Sequence, residues 1–211
     1  MSRITDLRTG KGREKRINIY LDGRFAFSLG AEVAVKENLQ VGQELSVDQI
    51  ESLTGGDQLQ RCLGAAYRYL GYRPRSESEL RERMQRRGFA AETVDAAITR
   101  LKEQQLLDDE AFAQFWRENR ESFGPRSQWL TGLELKRMGV MNGVIEQAVA
   151  GMDDEENAYR AALQKTRHWT PADYQSFRRR LGDYLRRRGF KYEVINHTVE
   201  RIWQERGNGS G

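Results

Sequence analysis

The sequence predicts a mostly α-helical protein, three tandem three-helix repeats behind a small N-terminal unit that contains a β-hairpin. Gly88, Gly139 and Gly189 lie 51 and 50 residues apart, and the same apolar positions flank each of them. The triplet Pro74-Arg75-Ser76 returns as Pro125-Arg126-Ser127, again 51 residues further on. Ahead of both, apolar residues alternate on either side of Asp22-Gly23. The apolar period is therefore two at the front of the chain and about 3.6 thereafter, the signatures of strand and helix.

Within the front unit, residues 3–8 read as a first strand and Gly10-Lys11-Gly12 as the turn after it. That glycine-lysine pair is not a phosphate loop, because it lacks both the upstream glycine and the Ser/Thr after the lysine. Ile17, Ile19 and Leu21 form one arm of the hairpin, and Phe25, Phe27 and Leu29 share one side of the other. Asp22-Gly23 between them suits a type I′ turn, which needs positive φ at both positions. Ala31–Leu39 and Val47–Leu53 read as short helices, the second capped by Ser46. Gly55-Gly56 is expected to break the chain there, which sets the N-terminal unit at residues 1–55.

The repeats are expected at residues 56–106, 107–153 and 154–206, with a disordered glycine-rich tail at 207–211. Four residues before each anchoring glycine stands Met84, Leu135 or Leu185. Six, ten and thirteen after it stand Val94, Ile98 and Leu101, then Ile145, Val149 and Met152, then Ile195, Val199 and Ile202. Those offsets mark one stripe of a helix, and the glycine is the C-terminal stop of the helix before it. Leading helices are expected near 57–71, 109–122 and 154–168. Ser76 with Glu79 forms a capping box, Ser127 starts the equivalent helix, and Thr170-Pro171 opens the third. Stacked repeats of this kind predict an elongated, slightly curved body.

The basic residues comprise 28 Arg and 7 Lys, and the formal net charge is +4. It is unevenly distributed: 0 over residues 1–55, +3 over 56–106, −6 over 107–157 and +7 over 158–206. An acidic middle argues against one uniform phosphate-tracking groove and suits a partner of mixed charge. No stretch approaches the apolar length of a membrane span, and Met1–Asp6 leads into no signal peptide. Cys62 is a single cysteine in an apolar helical stretch, read as a core residue in a reducing cytosol. His168 and His197 each stand alone. No catalytic, metal or cofactor set is expected.

The candidate binding residues are arginines. Arg178-Arg179-Arg180 and Arg186-Arg187-Arg188 fall on one predicted helix whose Tyr174, Phe177, Leu181 and Leu185 form the apolar face. At about 100° per residue, Arg179, Arg186, Arg180 and Arg187 point away from that face, with Arg178 and Arg188 nearer its edge. Only Asp183 lies between the triplets, so this is a candidate anion-binding patch, the alternative being a solvated helix face. In the first repeat Arg83 and Arg86 have Glu79 and Glu82 four residues earlier, which leaves Arg81 and Arg87 as candidates. Asp153-Asp154-Glu155-Glu156 suits a helix N-terminus. Trp116, Trp129, Trp169 and Trp203 read as core or inter-repeat packing.

The segment Arg75-Ser76-Glu77-Ser78-Glu79-Leu80-Arg81-Glu82-Arg83-Met84 with Gly88-Phe89 resembles the first repeat of the RecX regulatory proteins. Leu106-Leu107-Asp108-Asp109-Glu110-Ala111-Phe112-Ala113 is similar to that family's junction before the second repeat. Gly124-Pro125-Arg126-Ser127 with Leu135 and Gly139-Val140 is similar to the second repeat itself, except that Met138 stands where a basic residue is expected. Leu185-Arg186-Arg187-Arg188-Gly189-Phe190 with Ile195 is similar to the third. From the residues themselves no enzymatic activity and no cofactor are expected, and a monomer is expected. The resemblance implies a cytoplasmic regulator. Its partner would be the RecA recombinase filament, bound in the helical groove, with single-stranded DNA in or beside that filament a further partner. The alternative is a DNA-binding module built from the same repeats. Arg-rich helices favour it, while the acidic centre and the want of a base-reading helix count against it.

Overall fold

The structure, a computed structural model, describes residues 1–10, 15–170 and 173–208. The chain forms two compact units, residues 1–73 with 80–106 and residues 74–79 with 107 onward. The turn expected at Gly10-Lys11-Gly12, Pro171 and most of the glycine-rich tail fall wholly or partly outside the described residues.

In the first unit, β1 (Ser2–Thr9), β2 (Arg16–Leu21), β3 (Arg24–Gly30) and β4 (Glu44–Leu45) form an antiparallel sheet in the order β3-β2-β1-β4. The β2–β3 turn carries φ of 50° at Asp22 and 83° at Gly23, as the hairpin reading requires. Ile4, Ile19, Leu29, Leu45 and Leu53 make the buried core. Phe25 departs from the expected alternation. Ile19 pairs with Phe27 and Tyr20 with Phe25, so Ala26 is an extra residue that turns Phe25 to the other face. There it is 58% exposed and meets the Tyr20 ring edge-on.

Helix α1 (Ala31–Lys36) follows the sheet, and α2 (Val47–Leu70) starts with the Ser46–Gln49 capping box. The break expected at Gly55-Gly56 does not occur; α2 runs through both glycines. Two helical glycines cost about 2 kcal/mol against alanine. Immediately after them, buried Asp57 accepts the Gly30 N–H at 2.7 Å and pairs with Arg16 at 2.8 Å, while Leu53, two residues before them, sits in the sheet's core. These anchors hold the helix across its weakest point. Helix α2 packs on α4 (Ala91–Glu103), burying Cys62, Leu63, Ala66, Val94, Ala97, Ile98 and Leu101. Burial pushes the Cys62 thiol pKa up, as befits a core cysteine. Helix α3 (Glu77–Gln85) gives its first residues to the second unit and the buried Leu80 and Met84 to the first.

The second unit contains α5 (Asp109–Phe123), α6 (Gln128–Arg137) and α7 (Asn142–Val149), then α8 (Asp154–Thr166), α9 (Tyr174–Arg187) and α10 (Tyr192–Asn208). Phe112, Leu135, Val140, Ile145 and Val149 centre the core of the first trio. Ala158, Ala161, Phe177, Leu181, Leu185 and Val199 centre that of the next. All twelve apolar positions counted from the three glycines are buried. The glycines have φ of 86°, 77° and 85°, the left-handed stop expected. The helix start expected at Thr170-Pro171 lies partly outside the described residues; α9 itself begins at Tyr174, capped by Asp173, which accepts the Ser176 N–H at 2.8 Å.

One joint occurs twice. The buried Ser76 hydroxyl accepts the Glu79 N–H at 3.1 Å and donates to the Met138 carbonyl at 2.5 Å. The buried Ser127 hydroxyl caps Leu130, and its own N–H donates to the Arg188 carbonyl at 3.0 Å. Met138 and Arg188 each precede an anchoring glycine. The first amide of each starting helix is taken by an aspartate opening the next leading helix, Glu77 by Asp109 at 2.8 Å and Gln128 by Asp154 at 2.7 Å. The recurrent Pro-Arg-Ser thus marks where a helix start in one repeat closes on a helix end in the next.

Candidate functional site

The arginine-rich helix α9 buries Phe177, Leu181 and Leu185, spaced four residues apart, against α8 and α10. This fixes the directions of its arginines. Arg178, Arg179, Gly182, Asp183 and Arg186 border a groove of about 320 Å³, closed by Tyr192, Ile195, Asn196 and Val199. Gly182 opens the groove; a Cβ there would reach the Ile195 side chain at 3.7 Å. Asp183 and Arg186 pair at 2.8 Å with both ends open to solvent, a contact of about 0–1 kcal/mol that a stronger anionic ligand can displace. Tyr192 is 71% exposed on the opposite lip.

The four expected arginines divide. Arg179 and Arg186 share the groove, and Arg178, placed by the sequence nearer the apolar edge, joins them. Arg180 instead lies over the Trp169 ring at 4.2 Å, and Arg187 is exposed outside the groove lining. Arg188 is structural. It donates to the Pro125 carbonyl at 2.9 Å and covers the Tyr184 ring at 4.6 Å. Gly182, a side-chain-free position among arginines, was the signal in the sequence for a groove beside Arg178, and nothing local marked Tyr192.

In the first repeat Arg81 is held by an ion pair with Asp95, whereas Arg87 is exposed beside Gly88 and borders a cleft of its own unit. Glu82 pairs with Arg86 as expected. Arg83 lies over the Tyr69 ring at 5.8 Å, and Glu79 turns to Arg75 at 3.5 Å and to the Ser76 amide. The acidic run caps α8 through Asp153, and Glu155 meets His197 at 2.8 Å. Trp116, Trp169 and Trp203 sit partly buried at the cores, but Trp129 is 64% exposed. Among the described residues, no helix is long and apolar enough to cross a membrane.

Three family models match the chain and together cover more than half of it. They are the regulatory protein RecX N-terminal domain at residues 2–46, the RecX first three-helix domain at 62–101 and the RecX third three-helix domain at 153–199. The chain is 29% identical over 206 residues to regulatory protein RecX of Clostridium botulinum (strain Alaska E43 / Type E3), covering 95% of this chain and 96% of that one. It is 27% identical over 213 residues to regulatory protein RecX of Bacillus licheniformis, covering 100% of this chain and 81% of that one. The fold is similar to a crystal structure of regulatory protein RecX, with a TM-score of 0.63 at 24% identity over 95% of this chain and 100% of the other. It is also similar to the crystal structure of RecX from Lactobacillus salivarius, with a TM-score of 0.59 at 18% identity over 70% of this chain and 97% of that one.

Proposed function

Because the chain belongs to the RecX regulatory protein family, we propose that it regulates the RecA recombinase by binding the RecA filament on single-stranded DNA, within the filament's helical groove. On this reading it acts in the cytoplasm as a non-enzymatic monomer that restrains strand exchange and ATP hydrolysis, and it belongs to DNA recombination, repair and the SOS response.

The observation that carries the reading is the α9–α10 groove, where Arg178, Arg179 and Arg186 converge beside an exposed tyrosine. Arginine forks suit carboxylate and phosphate equally, and arginine and tyrosine are the residue types that anchor protein interfaces. Arg180 stacks on Trp169 and Arg81 pairs with Asp95, whereas the Arg186–Asp183 pair is open to solvent at both ends, so we assign the contact to Arg179 and Arg186, with Arg178 beside them. The acidic second repeat favours a protein partner of mixed charge over a bare phosphate chain.

Arg179→Glu with Arg186→Glu is expected to weaken association with preformed filaments about tenfold or more, a cost of about 1.4 kcal/mol or above. The far-UV circular dichroism should be unchanged, since both side chains are exposed. Wild-type filament affinity in this folded variant would remove the groove from the interface.

A further inference from the structure

We infer that the first unit carries a second, separate binding site, a cationic cleft that takes the phosphodiester backbone of single-stranded nucleic acid. The cleft measures about 1120 Å³ and lies among α1, α2, the start of β2 and the α3–α4 turn. Lys15, Lys36, Arg61, Arg68 and Arg87 border it. Among the described residues none of these five side chains forms a hydrogen bond, ion pair or ring contact. The sixth cation, Arg16, is tied to buried Asp57. Among the described residues Glu32 and Glu37 are the remaining carboxylates on the lining, so the five free cations outnumber the free anions there.

The sequence converges these charges by simple means. Arg61 and Arg68 are seven residues apart, on one face of α2, about 10 Å along its axis. Between them Gly64 and Ala65, with Gly56 and Gly30 nearby, leave a floor without large side chains, on which a backbone can lie close. Lys36 comes from the last turn of α1 and Arg87 from the turn after α3. Five like charges on one cleft repel one another, and an anionic ligand relieves that repulsion.

Repetition within the chain marks this helix end as vacant. A Cβ built on Gly139 would collide with Ser78, and one on Gly189 with Ser127 and Leu130, because another repeat's helix start covers both ends. At Gly88 such a Cβ would meet nothing within 4 Å. Arg188, which stands where Arg87 stands in the first repeat, shows what an arginine at this position does when the end is covered: it donates to a carbonyl oxygen of the covering segment. Arg87 therefore presents the same fork to an acceptor that this unit does not supply.

A phosphodiester strand fits better than an acidic protein segment. The lining is mostly charged side chains, glycine and alanine, with Val33 and Phe89 its larger apolar residues, whereas protein contacts depend on large anchoring side chains seated in packed pockets. A cationic track with one aromatic face, here the half-buried Phe89, is the pattern of sequence-tolerant single-strand binding. The site is independent of the filament reading, since it needs no recombinase.

The test is fluorescence anisotropy of a labelled oligothymidylate of about 20 nucleotides with the full chain alone, at about 50 mM salt and upward. Arg61→Glu with Arg68→Glu should lower affinity about tenfold or more and reduce the salt slope by about 1.4, the share of two phosphate contacts on a single strand. Should the charge reversal fail to fold, Arg61→Gln with Arg68→Gln should still lower affinity and salt slope in the same direction. Polyglutamate serves as the competing probe. Three results would each overturn the inference: no binding of the oligothymidylate by the wild-type chain, wild-type affinity in a folded variant, or tighter binding of polyglutamate than of the oligonucleotide at equal salt. The last would make the cleft a site for an acidic protein.

Discussion

Glu134 gathers more charge than any neighbour in the second repeat. Its carboxylate accepts from Arg120 at 2.7 Å and from the Trp116 indole at 2.9 Å, and it pairs with Arg126. Burial pushes the pKa of both guanidinium groups down, so the carboxylate is what keeps two poorly solvated cations together. Glu134→Ala is expected to destabilise the fold by about 2–4 kcal/mol, measured by urea unfolding, because it leaves the two cations near each other without the carboxylate that neutralises them. Asp173 gives a prediction in pH. The Ser176 amide and then its hydroxyl hold this carboxyl below its ordinary value. A carboxylate depressed in the folded state stabilises above its unfolded pKa, near 3.9, and loses that contribution as pH falls through the folded value. Asp173→Asn keeps an N-cap acceptor but cannot titrate, so its thermal midpoint should fall less steeply below about pH 4 than that of the wild type. Equal slopes would show that the cap contributes nothing to acid stability. At this scale the sequence was informative about chemistry but not about partners. The Ser76–Glu79 box was legible from spacing alone, whereas Glu79 turning to Arg75 rather than Arg83 depends on which neighbour the tertiary fold brings near.

Elements were legible wherever a local rule and the burial pattern agreed. The three glycine stops and the stripes after them needed only the helical period, and the hairpin needed only Asp22-Gly23. Two misreadings have separate causes, a long-range contact in one and a local irregularity of strand pairing in the other. Gly55-Gly56 reads as a break, yet Leu53 and Asp57 on either side are fixed to the sheet and carry α2 through. Phe25 reads as core, yet a bulge at Ala26, invisible to strict alternation, turns it outward. The short β4 escaped notice because two residues carry no period. The repeated joint makes an element-level prediction. Gly88→Ala should cost about 1–2 kcal/mol, the penalty of a left-handed conformation. Gly139→Ala and Gly189→Ala should cost more, because each added Cβ also collides with the covering helix start. Chemical denaturation of the three variants checks the order, and equal losses would show that the joint is loose enough to yield.

For the molecule as a whole, the sequence reading of a mostly helical, three-repeat protein behind a small sheet agrees with the structure, because each repeat buries its own stripe. The binding surface was only half legible. Counting at the helical period put Arg179, Arg180, Arg186 and Arg187 on one exposed side of α9. Only the packed fold shows that Trp169 takes Arg180 and that Gly182 opens the groove to Arg178. Charge along the chain, basic in the first and third repeats and acidic between, sets the functional question: whether the protein acts on a recombinase filament or on DNA by itself. The most direct measurement is single-stranded-DNA-dependent ATP hydrolysis by the RecA of the same organism, titrated with this protein, beside DNA binding by the protein alone in the same buffer. Hydrolysis is expected to fall at concentrations that leave bare DNA largely free, and Arg179→Glu with Arg186→Glu should shift that titration to about tenfold higher concentration. Hydrolysis that stays constant until the protein saturates the DNA would contradict the proposed regulation of the filament and leave a DNA-binding protein in its place.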